Sequence, residues 1–182
     1  MILSFSTKLN GKETYFVEKI LNSIIIEAEI KGYEDEYYGQ LVSQYIEPFV
    51  KIGSYLNYTS LIDHCAFLKP KLHTIREDNN NRWKSGVNID FFINVRKKNM
   101  FRFAPKIPVV STQRIFMTYA HSDIIEITVG QKYLYYQEKE QLALNDEFNS
   151  YEDFFNYFYE KIQANEDKCF SGKIIHWTDL KY

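Results

Sequence analysis

Four prolines, Pro48, Pro70, Pro105 and Pro108, constrain what this 182-residue chain can fold into more than any other residues in it. Inside a helix, proline removes a hydrogen bond and presses on the preceding turn; in a sheet it is confined to edges and bulges. No helix is therefore expected to run through Pro48 or Pro70, and the backbone near Pro105 and Pro108 is expected at a bulge or a sheet edge. Helical patterning dominates ahead of Pro70 and strand patterning follows it, which predicts an α+β protein.

The patterns between those points are read in turn. Ile2, Leu3 and Phe5 predict a short strand closed by the Asn10-Gly11 turn. From Thr14, the residues Phe16, Val17, Ile20, Leu21 and Ile24 recur at helical spacing, with Glu18 and Lys19 expected to point outward. Residues 28–68 read as helical but broken, with a stop near Glu47 ahead of Pro48. Ser60 and Asp63 imitate a capping box, with Leu61, Cys65 and Leu68 on the following helical face.

Ile89 to Val95 and Phe101 to Phe116 read as strands around the polar turn Arg96-Lys97-Lys98-Asn99. Ile125, Ile127 and Val129 alternate with polar residues, and Gly130-Gln131 suits a two-residue hairpin turn before Tyr133 to Tyr136. A helix is expected over Glu138 to Leu144. Another begins at Ser150 as N-cap and buries Tyr151, Phe154, Phe155, Phe158 and Ile162. Ser171 to Trp177 form a closing strand. The length lies in the range of one domain, and no repeat, low-complexity tract or linker divides the chain, so a single domain over 1–182 is expected.

Composition then removes several functions. A net charge of −2 does not suit a protein that coats nucleic acid non-specifically, because that mode depends on many lysine and arginine contacts. Apolar runs such as Ile24 to Ile26 are far shorter than the roughly 20 residues a membrane span needs. Cys65 and Cys169 match no zinc spacing and the start resembles no signal peptide, so a reduced, cytoplasmic protein is expected. His64, His73, His121 and His176 show no close metal-ligand spacing, so no metal and no cofactor are expected. Phosphate-loop, dinucleotide and nucleophile-elbow motifs do not occur. The aromatic share of 17% divides between core and a stacking surface, and Tyr37, Tyr38, Tyr135 and Tyr136 mark either an interaction face or ordinary packing.

One segment is dense in reactive and anion-binding groups. Lys71 to Gly86 holds Lys71, His73, Thr74, Arg76, Trp83 and Lys84 around the loop tip Asn79-Asn80-Asn81. In a regular strand Thr74 and Arg76 share one face and Lys71 lies on the other, so Lys71 and Thr74 converge only if the backbone turns near Pro70. A threonine hydroxyl becomes a nucleophile when a base takes its proton, and a lysine serves as that base when its surroundings disfavour its charge. Read from spacing alone, Lys71 and Arg76 are solvated surface charges and Thr74 a β-branched strand residue, with Trp83 a half-buried aromatic and His73 and His176 structural histidines.

Lys71-x-x-Thr74-x-Arg76, followed by Trp83-Lys84-x-Gly86 and an apolar strand, resembles the ASCH domain family of the PUA-like superfamily. The resemblance implies a PUA-like mixed β-barrel with flanking helices, and makes residues 28–68 a helical insertion. Enzymatic members of the family hydrolyse the acyl amide of acetylcytidine. By that resemblance Thr74 is the nucleophile, Lys71 the base that activates it, and Asp146 the carboxylate, with Glu147 one residue away. Lys69 stands where the family has glycine, and Asp146 where it has glutamate.

Arg76, Trp83, Lys84 and His176 are the expected substrate-binding residues, the first and third for phosphate and the aromatics against a base. The function expected is an amidohydrolase acting on an acylated, cytidine-like nucleoside or nucleotide. The alternatives are a non-catalytic module that binds RNA or a modified nucleotide, and a protein-interaction domain with a vestigial pocket, its contact surface on the helical insertion.

Overall fold

The computed structural model describes all residues except 10, 33–34, 53–54 and 120–123. Asn10 of the expected first turn, His121 and the side chain of Tyr38 therefore lie outside the described residues. In chain order, β1 (Ile2–Phe5), β2 (Lys8–Leu9) and β3 (Lys12–Glu13) lead into α1 (Phe16–Lys31), then α2 (Asp35–Leu41), a π-helical stretch (Val42–Ile46), α3 (Glu47–Ile52) and α4 (Tyr58–Phe67). Strands β4 (His73–Arg76), β5 (Asn88–Ile93), β6 (Phe101–Arg102), β7 (Ile107–Pro108), β8 (Ser111–Thr118), β9 (Glu126–Val129) and β10 (Lys132–Tyr133) follow. Last come α5 (Tyr136–Asn145), α6 (Tyr151–Ala164) and β11 (Cys169–His176). The architecture is α+β. The chain divides into two compact units, Met1–Lys71 with Asn88–Pro108, and Leu72–Val87 with Val109–Tyr182.

In the first unit β1 runs parallel to β5, while β6 and β7 pair antiparallel with opposite ends of β5. The break between β6 and β7 falls at Pro105, which has no N–H to offer a ladder. The helix α1 buries Val17, Ile20, Leu21, Ile24 and Ala28 as its periodicity predicts. It departs from expectation at Glu18 and Lys19, which are buried rather than outward. The physical reason is a partner that a stripe pattern cannot show: Tyr55 Oη donates to Glu18 Oε1 at 2.6 Å.

Pro48 does not stop its helix as expected. It is the second residue of α3, and the π-helical stretch ahead of it shifts the hydrogen bonding so that Glu47 N–H donates to Val42 O. Ser60 is likewise not an N-cap. Asn57 caps α4, accepting from the Ser60 N–H, and the Ser60 hydroxyl accepts from the Asn57 N–H. The helix then ends before Pro70 as predicted, with Leu61 and Cys65 buried.

The second unit is built on a five-stranded antiparallel sheet in the order β10-β9-β8-β11-β4. Ile75, Ile115, Met117, Ile127, Val129 and Ile174 enter one core with Leu142 and Ala143 of α5 and Phe154, Phe158 and Ile162 of α6. Each fully buried ring of that stripe contributes roughly 1.5–3 kcal/mol. Ser150 caps α6 as predicted, accepting from the Asp153 N–H at 3.1 Å. The Gly130-Gln131 hairpin is also found, with Val129 opposite Lys132 and Gly130 at φ 63°.

Among the described residues the strand pairings close no barrel, in contrast to the barrel expected. The five-stranded sheet ends in β4 on one side and the two-residue strand β10 on the other, so pairing stops at both edges. Among the same residues no helix is long and apolar enough to cross a membrane, and no group of three or more His, Cys, Asp or Glu is placed to hold a metal.

Candidate functional site

The candidate residues of the second unit are positioned by the β4–β11 pair. His73 lies opposite His176, Thr74 opposite Ile175 and Arg76 opposite Lys173. Alternation along a strand puts His73 and Ile75 on one face and Thr74 and Arg76 on the other. Ile75 belongs to the core shared with α5 and α6, so His73 and His176 continue the helix-covered face beyond the apolar core. Their rings are 5.3 Å apart.

A chain of side-chain hydrogen bonds ends on His73. Gln141 Nε2 donates to Asn145 Oδ1 at 2.7 Å, and Asn145 Nδ2 donates to Tyr182 Oη at 2.9 Å. Tyr182 Oη is 2.6 Å from His73 Nε2. Because the phenol oxygen already accepts from an amide, its own proton is available to His73 Nε2, which places the imidazole proton on Nδ1. Burial pushes the Tyr182 phenol above its usual range; the Asn145 hydrogen bond pulls it back and the charge of Asp146 raises it further, so it remains a donor at neutral pH. Asp146, the residue just after α5, holds Oδ1 3.7 Å from His73 Nδ1, an electrostatic contact rather than a hydrogen bond.

His176 is fully buried. Among the described residues neither of its ring nitrogens has a hydrogen-bond partner, and neither has the hydroxyl of Ser111. Ser111 is the β8 residue directly opposite His176, so the two side chains leave the sheet on the same face. Burial, with the charge of Lys181, lowers the His176 imidazole to about 4, so it is neutral at pH 7. An unsatisfied buried polar atom costs roughly 1–3 kcal/mol, and three such atoms lie on neighbouring residues here.

The loop after β4 is tied down at its base. Asp78 Oδ1 accepts from the Arg82 N–H at 2.8 Å, and Oδ2 accepts from the Trp83 N–H and from Lys173 Nζ, each at 2.9 Å. Lys173 Nζ also donates to Asn81 Oδ1 at 2.5 Å and to the Trp83 carbonyl at 2.6 Å, which uses all three ammonium protons. Burial alone would raise the Asp78 carboxyl, but these donors hold it below its usual range. Trp83 is buried, Arg76 half-buried and Lys84 exposed. Of the four residues expected to bind substrate, only the two cations therefore present surface.

The three residues assigned to chemistry are all enclosed: Lys71 is 1%, Thr74 2% and Asp146 6% exposed. Solvated surface charge, the alternative reading of Lys71, does not describe it. Lys71 belongs to the first unit, where its N–H donates to the Lys19 carbonyl at 3.1 Å and its Nζ lies 5.0 Å from the Phe16 ring centroid. Thr74 and Asp146 belong to the second. The structure brings Asp146 and His176 to His73, and sets Thr74 and Arg76 on the opposite face of β4, the outer strand of its sheet.

Sequence reasoning missed Tyr182, Asn145 and Ser111: Tyr182 meets His73 and Asn145 from 109 and 37 residues away, and Ser111 faces His176 only across paired strands, so none of these meetings leaves a local pattern. Compared with known protein families, curated proteins and solved structures, the chain matches none.

Proposed function

We propose that this chain is an amidohydrolase acting on an acylated, cytidine-like nucleoside, held at the β4 side of a PUA-like fold. The observation that carries the reading is the group of unsatisfied buried polar atoms on His176 and Ser111, beside the His73–Tyr182 pair. A nucleobase edge offers the alternating donors and acceptors that such atoms lack. Because β4 is the outer strand, a ligand along its edge meets residues of both faces, Thr74 from one and His73 with Asp146 from the other.

In the proposed reaction Thr74 Oγ attacks the acyl carbonyl while a base takes its proton, the role that the motif resemblance gives Lys71. The carbon–nitrogen bond breaks, the exocyclic amine leaves with that proton, and water then hydrolyses the acyl-threonine ester. Lys71 enters through its burial and its place three residues ahead of Thr74 in the motif. The buried Trp83 and His176 disfavour the RNA-binding alternative, which needs aromatic faces open for stacking.

The test is release of cytidine from acetylcytidine by the wild type beside Thr74→Ala and Lys71→Ala. Removal of a nucleophile or its base is expected to slow turnover by about 10²–10⁴. Undiminished turnover in both variants would remove these roles. A wild type that binds cytidine without releasing it from acetylcytidine, with affinity weakened by His176→Ala, would replace hydrolysis by recognition.

A protein-interaction role for the helical segment has separate support, because Leu56, just before α4, is 93% exposed and Phe67, its last residue, 89% exposed. Replacing both by serine is expected to abolish any concentration-dependent self-association seen by light scattering. A wild type that stays monomeric at all concentrations excludes self-association as the purpose of that surface.

A further inference from the structure

The first unit contains a cavity of about 640 Å³, and every residue lining it belongs to that unit. That volume is in the range of small-molecule sites. Four aromatic rings line it, those of Tyr15, Phe16, Phe49 and Tyr55, together with the buried carboxylate of Glu18 and the imidazole of His64. No lysine or arginine is among the described residues that line it.

The polar groups are arranged around the rings. His64 packs 5.3 Å from the Tyr15 centroid and 5.8 Å from that of Tyr55. Its Nε2 is buried and, among the described residues, has no hydrogen-bond partner. Among the described residues Glu18 accepts one hydrogen bond, from Tyr55 Oη at 2.6 Å, and a carboxylate has room for about four. The other lining carboxylate, Glu13, is matched by Lys8 at 2.8 Å, which leaves Glu18 as the lining carboxylate without an ion-pair partner among the described residues. Tyr15 holds φ 53°, a left-handed conformation that a bulky side chain adopts at a cost of order 1–3 kcal/mol, and so is fixed at the cavity wall against its own preference.

We propose that this cavity binds a small organic cation, an amine or quaternary ammonium, with its charge at Glu18 and its body against the four rings. Aromatic faces attract cations through their negative quadrupole, and more strongly where water is excluded. A buried carboxylate with spare acceptor capacity supplies the counter-charge. Phosphates and carboxylates are rejected, since the lining offers them no cation. His64 Nε2 selects ligands that carry a second polar group within reach of the ammonium. None of the lining residues has a role in the hydrolase reading, although the Phe16 ring also carries Lys71 Nζ 5.0 Å from its centroid.

The experiment is calorimetric titration of the whole protein with phenethylamine, with 2-phenylethanol as its neutral counterpart, with phenylacetate as an anion, and with choline. Phenethylamine is expected to bind at least about ten-fold more tightly than 2-phenylethanol, as a desolvated cation–π and ion contact implies. Phenylacetate is expected not to bind, and choline to compete with phenethylamine. Glu18→Gln, checked for an unchanged circular dichroism spectrum, should remove the preference for the cation, whereas Tyr55→Phe should preserve it. Equal binding of the amine and the alcohol, binding of neither cation, or an undiminished preference in Glu18→Gln overturns the proposal. The ligand comparison needs only the wild type, so it decides the matter even if Glu18→Gln fails to fold.

Discussion

The ammonium of Lys173 stands 2.9 Å from Asp78 Oδ2, and this ion pair ties the loop after β4 to the middle of β11. Both side chains are largely enclosed, and Asp78 also receives two backbone N–H groups. Breaking one half of a buried pair strands the other, at a cost of about 3–5 kcal/mol. Asp78→Ala should lower the unfolding free energy from urea titration by that amount and raise proteolysis within 79–84. Replacing both partners together, Asp78→Leu with Lys173→Met, should cost less than the two single losses added. Additive losses would show that the pair is not coupled.

The His176 imidazole sets a window of acid sensitivity. Its folded value is about 4 against an ordinary 6.5, so the unfolded chain binds the proton more readily. Its stabilising effect is therefore complete above pH 6.5 and is lost as pH falls through 4. Two and a half units correspond to about 3 kcal/mol. Denaturant titrations from pH 7 to 4 should show wild type losing about that much more stability than His176→Phe, and parallel profiles would contradict the assignment.

The two cysteines should react at very different rates. Cys65 is buried, and that burial, aided by the negative charge of Glu18, pushes its thiol up to about 12. Cys169 is half-buried at the start of β11. A thiol reagent such as DTNB should label one cysteine quickly in native protein and the second only on unfolding. Fast labelling of Cys65, identified by peptide mapping, would refute its enclosure.

Gly172 is fixed by space rather than by backbone angle. A Cβ there would lie 2.7 Å from the Arg76 carbonyl and 2.9 Å from the Phe170 ring. The carbonyl is main chain in the neighbouring strand and cannot swing aside. Gly172→Ala should cost roughly 1–3 kcal/mol, as overpacking does, measured as a fall in thermal midpoint. An unchanged midpoint would mean that β4 and β11 separate easily.

Local signals in the chain were legible and distant ones were not. The Ser150 cap, the Phe154–Phe158–Ile162 stripe and the Gly130-Gln131 turn each depend on neighbours within a few residues, and each is found. Pro48 was misread because a π-helical stretch absorbs its missing donor, an arrangement without a compositional mark. Glu18 was expected outward because its partner, Tyr55, lies 37 residues away. The Lys71–Gly86 segment stands out for its density of polar groups, but its sequence does not show that Lys71 and Thr74 are buried while Lys84 is exposed. The partner of His73, by contrast, is Tyr182, 109 residues further on, and only the folded sheet brings them together.

The most direct test of the proposed function is a time course of acetylcytidine with purified wild-type protein, following cytidine and acetate together. The account predicts that both appear at equal rates, that Thr74→Ala stops both, and that the Thr74→Ala protein keeps its fold and still binds the substrate. Folded wild-type protein that releases neither product, while binding cytidine no better than an unrelated nucleoside, would contradict it.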